Sequence, residues 1–257
     1  VAPFGRMDGE ISASLGRSAG NESGDALAED GDPERGIRPG RDRARFPSLV
    51  STLLSRTMKA LLIIDIQNDF LPGGALAVTD ADAIIPLVND LIPTYELVVA
   101  TQDWHPADHQ SFASQHPGGR AGQLIELHGL QQILWPDHCV QGSAGADFAS
   151  ALDVERVDHV VRKGTDREID SYSGFFDNAR RRATGLEELL RSHDVDEVHL
   201  VGLATDYCVK FSALDAVDLG FKTAVHRGAI RGVELNSGDC ANAIDEMRAA
   251  GVVVLDR

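Results

Sequence analysis

Short runs of apolar residues recur along the chain from residue 59 onward, and stretches with helical periodicity separate them. Six such runs occur, at 60–65, 97–101, 159–163, 198–202, 223–225 and 252–255. A short continuous apolar run is typical of a strand that is buried on both faces of a parallel sheet. The pattern therefore predicts six strands in one mostly parallel sheet.

Helical stretches are predicted between these runs, at 81–91, 184–193, 205–219 and 240–250. In the first of them, apolar residues stand at 84, 85, 88 and 91, which is the spacing of one helix face. Thr184 followed by Glu187 resembles a helix-capping pair. Alternation of strands and helices predicts an α/β fold with three αβα layers, and such sheets bind ligands beyond the carboxyl ends of their strands.

Residues 1–57 differ from the rest of the chain in composition. They contain eight arginines, nine acidic residues and no lysine, and they show no sustained period of 2 or 3.6. Such a segment is expected to be disordered, apart from a short helix at 46–54, and its nine acids argue against a transit peptide. We therefore predict an N-terminal extension at 1–57, a domain at 58–257 and a biological start at Met58.

Charge and cysteine content exclude several classes of protein. The formal net charge is −16, so the surface should repel nucleic acid and anionic membranes. No apolar run approaches the roughly 20 residues of a membrane span. Three cysteines are too few for a disulfide framework, and reduced thiols suit a cytoplasmic protein.

Reactive residues follow several predicted strands at one edge of the sheet. Asp65 and Lys163 end their runs, and Cys208 follows the run at 198–202 after a small-residue turn. A thiol near a helix start is expected to have a lowered pKa, and amides there can hold an oxyanion. Burial would raise the pKa of Asp65 into the range of a general base, and Lys163 would support the thiolate. A buried structural cysteine is the alternative.

A candidate metal site follows the second run. In the extended segment Asp103-Trp104-His105, the carboxylate and the imidazole project the same way because side chains alternate. His138 is a candidate for another ligand, and His109 for a fourth ligand or an outer partner. A carboxylate with imidazoles suits one divalent ion of Zn, Mn or Fe, and ordinary loop histidines are the alternative.

Several of these motifs together resemble a known family. They are Asp65-Ile66-Gln67-Asn68-Asp69-Phe70, Asp103-Trp104-His105-Pro106, Trp135-Pro136-Asp137-His138-Cys139-Val140, Lys163-Gly164 and Ala204-Thr205-Asp206-Tyr207-Cys208-Val209. In this order they resemble the nicotinamidases, which are isochorismatase-like cysteine hydrolases. The resemblance runs from Met58 almost to the end of the chain and covers none of the first 57 residues.

The resemblance implies the isochorismatase-like hydrolase fold and a role for individual residues. It implies a catalytic triad of Asp65, Lys163 and Cys208. Backbone amides of Ala204 and Cys208 would form the oxyanion hole, around a cis peptide bond between Leu203 and Ala204.

The resemblance also implies a metal site and an aromatic pocket. The metal ligands would be Asp103, His105 and His138, and the resemblance leaves His109 open as a fourth ligand or an outer partner. The pocket would be walled by Phe70, Trp135 and Tyr172.

The activity implied is hydrolysis of nicotinamide to nicotinate and ammonia through a cysteine thioester, which would feed NAD salvage. The divalent ion would bind the pyridine nitrogen, and pyrazinamide would be a side substrate. Both monomers and small homo-oligomers occur in similar proteins. The alternatives are an amidase of the same fold that acts on a ureido or carbamoyl compound, a non-catalytic binding protein, and a redox sensor.

One segment departs from the family pattern. After the run at 223–225, similar proteins often carry an acidic residue before an Arg-Gly-Val sequence, whereas residues 226–233 here contain no acid. The departure concerns the packing of this loop and does not touch the proposed triad or ligands.

Overall fold

The computed structural model describes residues 58–256, so the extension predicted at 1–57 and its helix at 46–54 lie outside the described residues. The described strands are β1 (Met58–Ile64), β2 (Leu97–Asp103), β3 (Leu124–Leu127), β4 (Leu130–Ile133), β5 (His159–Lys163), β6 (Val195–Leu203), β7 (Lys222–Arg231) and β8 (Val253–Leu255). The described α-helices are α1 (Ile85–Leu91), α2 (Leu186–Ser192), α3 (Lys210–Asp218) and α4 (Asp239–Ala249).

Six strands form one parallel sheet in the order β5-β2-β1-β6-β7-β8, which confirms the predicted sheet. All six predicted apolar runs are strands of this sheet. Strand β2 continues past its apolar run to Asp103, and β6 begins before its run, at Val195. In both strands, backbone pairing extends to polar residues, to Asp103 in β2 and to Glu197 in β6. Parallel pairing brings the carboxyl ends of β1, β2, β5 and β6 to one edge.

Apolar side chains of β1 alternate between two cores. Leu61 and Ile63 pack with α1 on one face of the sheet. Leu62 and Ile64 pack with α2, α3 and α4 on the other face. This arrangement confirms three layers, and it explains why the central strand is apolar at every position from 60 to 64.

Two local features differ from the sequence expectations. Strands β3 and β4 pair as an antiparallel hairpin that was not predicted, because β3 is half exposed and carries no apolar run. The predicted helix at 205–219 begins as a π-helical turn, Thr205–Val209, and becomes α-helical only at Lys210. None of the helices within residues 58–256 has both the length and the apolar character that crossing a bilayer requires.

Candidate active site

Asp65, Lys163 and Cys208 meet at the carboxyl edge of the sheet, although they come from three distant parts of the chain. Lys163 Nζ lies 2.9 Å from Asp65 Oδ2 and donates to Cys208 Sγ over 3.3 Å. The side chain of Lys163 is fully buried, so its charge is screened little by solvent. The structure therefore brings together the three residues that the sequence singled out.

Asp65 occupies a buried position in the left-handed region, with a φ of 48°. Its Oδ1 accepts a hydrogen bond from the Thr101 hydroxyl at 2.7 Å. Its Oδ2 lies close to Lys163 Nζ but has no partner in hydrogen-bond geometry among the described residues. Burial raises the pKa of Asp65 to about 6, against the lowering effect of Lys163, as expected for a general base.

The expectation of a lowered pKa for Cys208 is wrong for this structure. Burial raises the pKa of the thiol well above its usual value, although Lys163 acts to lower it, and the carboxylates of Asp65 and Asp103 raise it further. Cys208 also lies in the middle of the π-helical turn rather than at an exposed helix start. Burial therefore disfavours the thiolate, and a nearby proton acceptor would assist its formation.

Asp103 connects the thiol cluster to the histidines. Its Oδ1 accepts a hydrogen bond from Lys163 Nζ at 2.5 Å, and its Oδ2 faces His105 Nε2 at 3.7 Å and His138 Nε2 at 4.0 Å. Burial alone would raise the pKa of Asp103, but Lys163 and the two histidines bring it well below its usual range. Asp103 is therefore a permanent anion between an ammonium and two imidazoles.

The two imidazoles are oriented by backbone carbonyls. His105 Nδ1 lies 2.9 Å from the Gly164 oxygen, and His138 Nδ1 lies 2.8 Å from the Pro136 oxygen. A carbonyl can only accept, so each Nδ1 carries the proton and each Nε2 presents a lone pair towards Asp103. Gly164 has a φ of +63°, and a Cβ there would lie 2.3 Å from the His105 ring, so only glycine fits.

These donors suit a divalent metal ion. One oxygen of Asp103 and one nitrogen each of His105 and His138 all lie within 4.8 Å of one another. Burial lowers the pKa of His138 to about 4, so its ring is neutral, which is the form that binds metals. Burial acts to lower the pKa of His105, but Asp103 outweighs it and raises that pKa. The donor set and its oriented lone pairs therefore fit Zn, Mn or Fe.

His109 lies beside this group, against the ring of His105. Its ring centroid is 4.5 Å from that of His105, and it forms a second close group with His105 and Asp170. Nδ1 contacts the Ser111 hydroxyl at 2.7 Å, while the buried Nε2 has no partner in hydrogen-bond geometry among the described residues. This position is compatible with both predicted roles of His109, a fourth metal ligand and an outer partner.

A cavity of about 370 Å³, part of it open to solvent, lies against Cys208. The predicted wall residues Phe70, Trp135 and Tyr172 all line it, as do Asp103, His138 and Ala204. Trp135 Nε1 donates to the Tyr172 hydroxyl at 3.2 Å, which fixes two of the walls against each other. The aromatic side chains that line the cavity suit a ligand with an aromatic ring.

The predicted cis peptide bond between Leu203 and Ala204 is present. Immediately after it, the amides of Tyr207 and Val209 both donate to the Ala204 carbonyl, at 3.1 and 3.0 Å. These bonds form the π-helical turn that carries Cys208. Ala204 and Cys208, whose amides were predicted to form the oxyanion hole, both line the cavity.

The loop that departs from the family pattern is anchored by an acid from another segment. The Asp206 carboxylate accepts hydrogen bonds from the amides of Val233 and Glu234, at 2.9 and 2.8 Å. Val233 lines the cavity. The turn that carries Cys208 therefore also fixes this wall.

The sequence reasoning missed four polar residues that position the site. Thr101 contacts Asp65, and Asp206 holds the loop. Asp170 lines the cavity and accepts from Gln132 Nε2 at 3.1 Å. Gln67 is fully buried, and the family resemblance implied no role for it although it lies in one of the motifs. The place of this polar residue, two positions after Asp65 and just past the buried strand β1, was the signal that could have identified Gln67.

Known proteins are similar to this chain in sequence and in fold. Residues 59–257 match the isochorismatase domain family. A nicotinamidase from Escherichia coli strain K12 is 49% identical over 200 residues, which cover 76% of this chain and 93% of that protein.

Two solved structures have a fold similar to that of this chain. One is an Acinetobacter baumanii nicotinamidase and pyrazinamidase with a TM-score of 0.76 and 45% identity, covering 78% of this chain and 97% of that one. The other is a Pyrococcus horikoshii pyrazinamidase in complex with zinc, with a TM-score of 0.64 and 36% identity, covering 77% of this chain and 99% of that one.

Proposed function

The chain belongs to the isochorismatase family, and from this premise we propose that it is a nicotinamidase, a hydrolase that converts nicotinamide to nicotinate and ammonia. The observation that carries the proposal is the contact of Lys163 Nζ with both Cys208 Sγ and Asp65 Oδ2, beside an aromatic cavity. A binding protein would need neither a buried ammonium at a thiol nor a carboxylate with a raised pKa.

Proton transfer from Cys208 to Asp65 begins the proposed reaction. An oxygen of Asp65 lies within 4.8 Å of the sulfur, and Oδ2, which pairs with Lys163 Nζ at 2.9 Å, would accept the proton. Because burial raises the pKa of the thiol, the proton moves as the sulfur attacks the carboxamide carbon rather than beforehand. Lys163 stabilises the negative charge on sulfur while this occurs.

Attack places a negative charge on the carboxamide oxygen. The amides of Ala204 and Cys208 would hold this oxyanion, an interaction that is worth about 3–4 kcal/mol for one donor in other acyl-transfer enzymes. Asp65 then returns the proton to the nitrogen as the C–N bond breaks and ammonia leaves. A thioester to Cys208 remains, and a water molecule that Asp65 deprotonates releases nicotinate and restores the thiol.

The remaining residues orient the ring. Asp103, His105 and His138 would hold one divalent ion, with His109 as a further ligand or as an outer partner. When bound, this ion supplies a Lewis acid that anchors the pyridine nitrogen. Phe70, Trp135 and Tyr172 would contact the ring.

The proposed site would recognise two groups of the substrate, its ring nitrogen and its carboxamide. Pyrazinamide keeps both groups and is therefore a proposed side substrate. A ureido or carbamoyl compound offers no ring for the aromatic walls, so the alternative amidase is disfavoured. The test is ammonia release from nicotinamide, pyrazinamide, benzamide, ureidoacrylate and N-carbamoylsarcosine. The proposal expects turnover of the first two, and preference for an acyclic amide would overturn it.

We further propose the setting in which the enzyme works. Nicotinate would feed NAD salvage, and residues 1–57 would be an extension that the hydrolase domain at 58–257 does not need. The three cysteines, Cys139, Cys208 and Cys240, are all free, which supports a reducing compartment such as the cytoplasm.

A further inference from the structure

A cluster of one phenol and two imidazoles lies on the sheet, and it shares no residue with the candidate active site. It consists of Tyr95, which precedes β2, His199 on β6 and His226 on β7. The Tyr95 hydroxyl lies 2.7 Å from His199 Nδ1 and 2.8 Å from His226 Nε2, and the two nitrogens are 3.3 Å apart. His226 opens the segment in which this chain departs from the family pattern.

One of these imidazoles is oriented as metal ligands usually are. His199 Nε2 lies 2.7 Å from Glu197 Oε1, which also pairs with Lys59 Nζ at 2.8 Å. The carboxylate can only accept, so Nε2 carries the proton and Nδ1 presents a lone pair towards Tyr95 and His226. A histidine whose other N–H is donated to a carboxylate is the common arrangement at metal sites.

The separation of the nitrogens matches two ligands of one ion. Nitrogens bound to a tetrahedral Zn²⁺ at about 2.0–2.1 Å lie about 3.3 Å apart. The distances from the Tyr95 hydroxyl to the two ring nitrogens are those of hydrogen bonds. Each would lengthen by about half an ångström if all three atoms bound one ion. Both histidines are buried, and Tyr95 is partly exposed. An ion could therefore enter past Tyr95.

We propose that His199 Nδ1, His226 Nε2 and Tyr95 Oη form a second binding site for a divalent transition metal, with Zn²⁺ as the ion of choice. Two imidazoles and one oxygen are donors that Zn²⁺ accepts, and the fourth position would be taken by solvent. Burial lowers the pKa of His199, which keeps the ring in the neutral form that binds a metal. Tyr95 is a neutral phenol before binding, because burial and Glu197 raise its pKa to about 12.

The site would connect parts of the sheet that do not pair directly. β2 is separated from β6 by β1, so Tyr95 reaches over the central strand to β6 and β7. An ion held there would stabilise the folded chain by mass action and would not alter the chemistry at Cys208. This inference does not depend on the proposed nicotinamidase activity.

The test counts Zn²⁺ in the full-length chain after equilibrium dialysis and elemental analysis. We expect two ions per wild-type chain and one per chain in His199→Gln and in His226→Gln, with ammonia release unchanged. His193→Gln is the matched control, because the His193 ring makes an edge-to-face contact with the His159 ring, at 5.3 Å between centroids, rather than with this cluster. This variant should keep two ions. His105→Gln should keep only the ion held by Tyr95, His199 and His226. The double variant His105→Gln/His199→Gln should bind no ion.

Equal Zn²⁺ content in the wild-type chain and in His199→Gln would overturn the proposal and leave the cluster as a hydrogen-bonded network only. If circular dichroism shows that the histidine variants fold poorly, Tyr95→Phe decides, because it removes Oη alone. A loss of Zn²⁺ affinity of about tenfold or more in Tyr95→Phe supports the site. Unchanged affinity contradicts it.

Discussion

Lys163 donates a hydrogen bond to the Cys208 sulfur over 3.3 Å, from a position with no solvent exposure. The same ammonium contacts the carboxylates of Asp65 and Asp103. Burial is the main cause that raises the pKa of the thiol, and the two carboxylates add to it while Lys163 opposes it. The proposed reaction therefore depends on Asp65 as proton acceptor as much as on the sulfur.

The pH dependence of kcat/KM should report the ionisation of Asp65. Its pKa is raised, to about 6, and only the ionised form can accept a proton, so the rate should fall as the pH drops through about 6. Thr101→Val removes a hydrogen bond that lowers this pKa. We expect the acid limb to move to higher pH by about one pH unit. Thr223→Val, another buried threonine without contact to Asp65, should leave the limb in place.

Gln67 should control metal affinity through the backbone of Asp103. Its amide group donates to the Asp103 carbonyl and its oxygen accepts from the Asp103 amide, both at 2.8 Å. Gln67→Glu replaces the donor with a carboxylate that faces that carbonyl. We expect the dissociation constant of the metal, measured by chelator competition, to rise about tenfold or more.

Gln102→Glu is the matched control for this substitution. Gln102 and Gln67 donate to the same Ala146 carbonyl, but Gln102 makes no side-chain contact with Asp103. If the two variants bind the metal equally well while both remain folded, the positioning role of Gln67 is wrong.

His105 should affect substrate binding and metal content together. His105→Asn removes a lone pair that faces Asp103, so metal content should fall and KM for nicotinamide should rise about tenfold or more. Elemental analysis and steady-state kinetics on one sample check both. Unchanged metal stoichiometry at this site would show that the ligand set is wrong.

Residues 1–57 should be dispensable. A chain that begins at Met58 keeps the whole sheet and every residue proposed to act in hydrolysis. We expect its kcat/KM and melting temperature to stay close to those of the full chain. A loss of folded protein by circular dichroism would show that this segment belongs to the domain.

The sheet and the cluster around Cys208 could be predicted because both leave local signals. The apolar runs predict the strands, and a reactive residue directly after a run, such as Asp65, must lie at the edge of the sheet. The hairpin β3–β4 has no such signal, because its strands are short and partly exposed. The raised pKa of Cys208 could not be predicted either, since it arises from burial beside carboxylates that are far away in sequence.

The most direct test of the central claim compares ammonia release from nicotinamide by the wild-type chain and by Cys208→Ala, at equal metal content. The account predicts that Cys208→Ala folds like the wild type and loses activity by a factor of about 10⁴ or more, because no nucleophile remains. Turnover by Cys208→Ala near the wild-type rate would contradict the account.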